Sequence, residues 1–130
     1  MVFIMKWDMR GACLLMKYKG GESMPKIIYE FFYVVGCNDF SKHYRLVVDR
    51  ETEKMMYGIS FDGTGYKGGR FAVNKSNIDC AYELCGKIGT VYRVQIDDSD
   101  FASARSKAKD IVYKHLIEIA ERFRSHCEEN

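Results

Sequence analysis

Six consecutive residues of this chain spell a phosphate-binding pattern: Gly63-Thr64-Gly65-Tyr66-Lys67-Gly68 matches G-x-G-x-x-G. In dinucleotide folds such glycines let the backbone approach a pyrophosphate at the N-terminus of the helix that follows. Here residues 70–74 pattern as a short strand, so the helix context is missing. Protein kinases do carry a glycine-rich loop between two strands, but a 130-residue chain without H-R-D or D-F-G signatures is no kinase. The expectation is a flexible hairpin loop over residues 62–70. The functional alternative is an anion or nucleotide contact made by its amides with Lys67 and Arg70.

A second group is basic. His43, Arg45, Arg93 and Gln95 occupy the polar positions of two alternating strands. Brought together, they would form a shallow basic patch with tyrosines nearby, able to contact phosphate or stack a base. Otherwise they line a solvated strand face.

Nucleophile and metal chemistry find less support. His115 lies beside the apolar stripe of the C-terminal helix, where a histidine is expected at the edge of the core; no Ser or Cys pairs with it by spacing. Metal binding would have to recruit Cys80, Cys85, His126 and Cys127, and structural zinc sites use much tighter ligand pairs. Buried or inert thiols are expected instead. No cofactor, metal site or catalytic constellation is therefore assigned.

A third group is apolar. Tyr113, Ile117 and Ala120 recur at i, i+4 and i+7 on the long helix, away from its main stripe, where polar residues belong. Such a ridge implies either burial on two sides or a partner.

The elements that position these groups follow from periodicity. Residues 26–35 are β-branched and aromatic at both parities, the mark of a strand central in its sheet or covered on both faces. In residues 43–49, Tyr44, Leu46 and Val48 alternate with polar residues; in residues 54–61, Met55, Tyr57, Ile59 and Phe61 do the same. With a polar turn between them, these two form a hairpin. Ser76 and Asp79 match a capping box, predicting a short helix to about Cys85 that Gly86 terminates. Residues 90–96 return to strand alternation with Tyr92, Val94 and Ile96. From Ser99 to about Cys127 a single helix is predicted, with Asp97, Asp98 and Asp100 at its positive end. Its stripe is Phe101, Ala104, Ala108, Val112, Leu116, Ile119 and Phe123. The fold class is thus α+β: a mostly antiparallel sheet of about five strands, β-β-β-β-α-β-α, with the C-terminal amphipathic helix packed across one face.

Totals bound the rest. The length suits one domain, and 47% hydrophobic against 29% charged residues describes a globular chain. Residues 1–16 are interrupted by Lys6, Asp8 and Arg10, so they read as neither signal peptide nor membrane span. Lys19-Gly20-Gly21-Glu22-Ser23-Met24 can be encoded by a purine-rich run containing a bacterial ribosome-binding sequence. Translation is expected to start naturally at Met24, making residues 1–23 a translated leader and residues 24–130 the domain. Setting the leader aside removes four basic and two acidic residues from a chain of net charge +2, leaving a neutral domain. A neutral domain lacks the basic excess of a non-specific nucleic-acid binder. Five cysteines without C-x-x-C and without a signal suit reduced thiols in a cytoplasm.

These readings favour a small, non-catalytic bacterial or mobile-element accessory protein that binds another macromolecule. Such a protein would be an inhibitor or regulator, of which anti-defence proteins and antitoxins are examples, with a protein partner, a homodimeric state and no membrane association. The alternative is a nucleotide or single-stranded nucleic-acid binding domain using the glycine-rich loop and the basic sheet face.

Overall fold

The computed structural model describes residues 25–86 and 89–129; the leader expected over residues 1–23 lies outside them. Six strands and one long helix follow in order: β1 (Ile27–Val34), β2 (Lys42–Glu51), β3 (Met55–Asp62), β4 (Lys67–Asn74), β5 (Ala81–Gly86), β6 (Gly89–Asp97) and α1 (Phe101–Glu129). The strands form one antiparallel sheet in the order β4-β3-β2-β1-β6-β5. The fold is α+β, with six strands rather than five.

The additional strand is β5, where the capping-box pattern predicts a helix. Asn74, not Ser76, supplies the cap: its side chain accepts from the Ser76 amide at 3.0 Å and the Ser76 hydroxyl at 2.9 Å. Only a single 3-10 turn, Lys75–Asn77, results. Asp79 then adopts φ +63°, a left-handed conformation that stops any helix. The chain gains more by pairing with β6, whose outer edge would otherwise leave its amides and carbonyls unpaired.

Central placement of β1, expected from its two apolar faces, is what the topology has. Its odd residues face the helix and its even residues face the other way, because successive strand side chains alternate. On the helix side Phe31, Val94 and Ile96 pack with Ala104, Ala108 and Val112 of α1. Small residues at 104 and 108 let the helix axis lie close on the sheet. On the reverse side Ile28, Leu46, Val48, Met56 and Val73 form a second buried cluster, joined by Phe71 and Ile78.

That reverse cluster is closed by the β4–β5 connection. The Lys75 amide bonds the Lys54 carbonyl beside β3, and four residues later the Asp79 amide bonds the Gln95 carbonyl of β6. The segment carries the Lys75–Asn77 turn on its way from the β3 side of the sheet to β6, and Ile78 packs on the reverse cluster. Lys75 and Lys26 both pair with Glu51, at 2.6 and 3.4 Å, and fasten this end.

The β2–β3 hairpin forms as expected, but its two alternations do not share a side. Leu46 pairs with Ser60 and Val48 with Gly58, which puts Tyr57, Ile59 and Phe61 on the opposite face. Met56 and Gly58 point into the reverse cluster instead. A Cβ on Gly58 would collide with the Val47 carbonyl oxygen and lie 2.8 Å from the Phe71 ring, so only glycine fits beneath Phe71. On the other face Arg45 covers the Phe61 ring at 4.9 Å and Arg50 the Tyr57 ring at 4.0 Å. Cation–π contacts of this kind let aromatic residues sit on a wet surface.

Candidate interaction surface

The helix is longer than the sheet that supports it. Its 29 residues extend roughly 43 Å, whereas the eight residues of β1 reach roughly 27 Å. Its start is anchored by two aspartates. The Asp100 carboxylate accepts from the Ser103 amide at 2.9 Å, and Asp98 accepts from the Ser103 hydroxyl at 2.7 Å and Lys107 at 2.9 Å. These bonds hold the Asp98 carboxyl far below the usual carboxylate range, the Ser103 hydroxyl contributing most and the Asp100 amide and Lys107 following. Farther along, Arg105 donates to Asp39 at 2.7 Å, clamping the β1–β2 loop to the helix. Asp39 is also lowered, first by the Phe40 amide and then by Arg105.

Burial ends with the sheet. Ala104, Ala108 and Val112 are buried, Leu116 and Ile119 are half-buried, and residues 120–128 are all exposed. Phe123, expected in the core stripe, is 69% exposed. The ridge residues Tyr113 and Ile117 are 63% and 41% exposed, and Ala120 is exposed beside them. The structure thus adds Phe123 to the apolar surface of the helix. A mismatch between helix and strand lengths, visible in the sequence, is the signal that could have located it.

Between α1 and the β1–β2 loop runs a groove of about 200 Å³, walled mainly by Tyr33, Phe40, Val112, Tyr113 and Leu116. Phe40 packs at 4.9 Å on Phe31, and Tyr33 donates its hydroxyl to the Cys37 carbonyl at 2.7 Å, so the loop wall is braced from within. Ridge and groove share Tyr113.

The basic group separates. His43 and Arg45 pair with Phe31 and Tyr29 on the helix side, while Arg93 and Gln95 pair with Phe32 and Glu30 on the reverse side. His43 is packed against the Phe101 ring at 4.7 Å and under Gly63, whose Cβ would lie 3.0 Å from its ring. The reverse face instead carries a row across four adjacent strands: Lys42, Phe32, Arg93 and Tyr82, each paired with the next. Lys42 lies 4.8 Å over Phe32 and Arg93 4.7 Å over Tyr82, with Tyr44 edge-on to Phe32 at 5.8 Å. Glu30 lies below the row, receives a 2.6 Å bond from Gln95 and sits 4.0 Å from Arg93.

The glycine-rich loop is filled by its own chain. Asp62 accepts from the amides of Thr64 and Tyr66 at 2.9 and 3.0 Å and from the Thr64 hydroxyl at 2.6 Å. Those bonds, led by the Thr64 hydroxyl, lower the Asp62 carboxyl. Two of the amides an incoming anion would need are thus already used by a carboxylate. Gly65 takes φ +95° at the turn. Lys67 and Gly68 belong to β4, and Gly68 abuts the Ser60 hydroxyl, which a Cβ would approach to 2.7 Å. Arg70 is engaged by Asp49 through both carboxylate oxygens, at 2.9 and 3.2 Å.

His115 is half-buried and meets Tyr92 edge-on at 4.9 Å, a core-edge contact. Cys37, Cys80 and Cys127 are exposed free thiols, not buried ones. Cys80 lies on the crossing segment and Cys127 on the free end of α1, and among the described residues no three His, Cys, Asp or Glu side chains converge as metal ligands. No described helix is long and apolar enough to cross a membrane. Comparison with known proteins finds no matching family model, no similar curated protein and no matching solved structure.

Proposed function

We propose that this protein works by binding another protein through the outer face and free C-terminal half of α1. It would serve as a cytoplasmic accessory factor of bacterial or mobile-element type that inhibits or regulates its partner. One observation carries this reading: the helix runs past its sheet and leaves Tyr113, Ile117 and Phe123 exposed along it. An isolated helix end of about three turns is marginal in water; it carries the exposed Phe123, and Tyr113 and Ile117 are exposed on the turns before it, apolar surface of the kind that marks interfaces. Helix-in-groove recognition reads i, i+4 and i+7 anchors, the spacing of Tyr113, Ile117 and Ala120. The test uses full-length protein as bait in its source host. Ile117→Asp should abolish recovery of a stoichiometric partner while leaving the unfolding midpoint unchanged; undiminished recovery would remove the reading.

A second reading rests on the reverse-face row. Alternating cations and aromatic rings across Lys42, Phe32, Arg93 and Tyr82 suit a single-stranded nucleic acid, with bases stacked on rings and phosphates beside the cations. The exposed face of the row favours it, and the neutral charge of the domain weighs against it.

A further inference from the structure

We infer that two copies of this chain pair through α1, the Phe123 ring of each filling the groove of the other. This rests on α1 being a docking element and names its occupant. Val112, Leu116, Ala120 and Phe123 follow at i+4 and i+3 spacings and so share one flank of the helix. The groove opens on that flank beside Tyr113 and Leu116, and Phe123 projects from it about two turns farther on. Knob and hole therefore lie on one rigid helix, roughly 13 Å apart, and Phe123 cannot fold back into its own groove.

A space of about 150 Å³ admits a benzene ring, and the groove offers about 200 Å³. When one surface carries both a knob and its hole, a two-fold axis satisfies both at once. An antiparallel two-fold centred between residues 118 and 119 sets each Phe123 over residue 114 of its partner, between Tyr113 and Leu116. The same operation brings Arg124 to the level of the Tyr113 ring, within reach of a cation–π contact; on its own helix Arg124 pairs with Glu128 at 3.5 Å. The contact strip, from residue 109 to 128, is roughly 29 Å long. Counting both copies, it buries on the order of 1,000 Å², at the lower end for a specific interface. A dimer that dissociates in the micromolar range is expected.

Sedimentation of the purified full-length protein across the micromolar range tests the inference. Wild type should pass from monomer to dimer, and Phe123→Asp should raise the dissociation constant at least about tenfold without changing the circular dichroism spectrum. Phe123→Cys should form, on mild oxidation, a disulfide to Cys37 of the second copy, identified by peptide mass. Wild type that stays monomeric, or a dimer indifferent to Phe123→Asp, overturns self-pairing. If monomeric wild type still recovers a partner that Ile117→Asp loses, self-pairing fails while the docking role of α1 stands; if nothing is recovered, both fail.

Discussion

Asp98 accepts the Ser103 hydroxyl at 2.7 Å, so the residue that follows β6 holds the first turn of α1 in place. The same carboxylate takes the Asp100 amide and the Lys107 ammonium. All three bonds favour its charged form, and its folded-state pKa lies far below the unfolded value near 3.9. A depressed carboxylate stabilises the fold above the unfolded pKa, and that contribution fades as pH falls below about 4 toward the folded value. Asp98→Asn should therefore lower the thermal midpoint at pH 7, with the gap to wild type narrowing in acid. Melting curves at neutral pH and near pH 2 decide it; an equal gap at both would refute the assignment.

Phe31 and Phe123 both fall in apolar periodic patterns, but only Phe31 is covered. Phe31→Ala should cost about 3–5 kcal/mol, the usual loss for a buried phenyl ring. Phe123→Ala should change monomer stability by less than about 0.5 kcal/mol. Urea unfolding at low protein concentration makes the comparison, and a large loss from Phe123→Ala would mean that the helix end packs on its own domain.

Gly58 pairs with Val48 beneath the Phe71 ring, where a methyl group has no room. Gly58→Ala should destabilise by about 1–3 kcal/mol, as overpacking does in a filled core. Gly69, whose Cβ would meet nothing within 4 Å, supplies the control, and Gly69→Ala should be nearly silent.

The reverse-face row predicts its own dependence. If a labelled single-stranded oligonucleotide binds, Lys42→Ala with Arg93→Ala should weaken it at least about tenfold and reduce the salt slope by about two. Lys67→Ala with Arg70→Ala should leave binding unchanged, because the adjoining loop is closed on Asp62 and Arg70 is held by Asp49. Fluorescence anisotropy at two salt concentrations tests both; the opposite ranking would return the site to the glycine-rich loop.

Much of the fold is legible in local pattern, because local pattern reports what a residue's immediate neighbours allow. Apolar residues at both parities mark β1 as central. Alternation marks β2, β3 and β6, and the stripe from Phe101 through Val112 marks the face that α1 buries. Which side each strand presents is another matter. A strand's alternation is the same whichever face points inward, and a register shift of one residue exchanges the two. Pairing Phe31 with His43, and Phe32 with Arg93, is what sends His43 and Arg45 to one side and Arg93 to the other. Residues 81–86 became a strand because β6 had an open edge to satisfy, a requirement absent from the segment itself. Phe123 keeps the helical period, but coverage depends on how far the sheet reaches, and the sheet ends first. The sequence by itself determined the elements other than β5 and the inner face of the helix up to Val112; tertiary structure alone decided β5 and which side chains share a surface, since edge pairing, register and reach are properties of the assembled sheet.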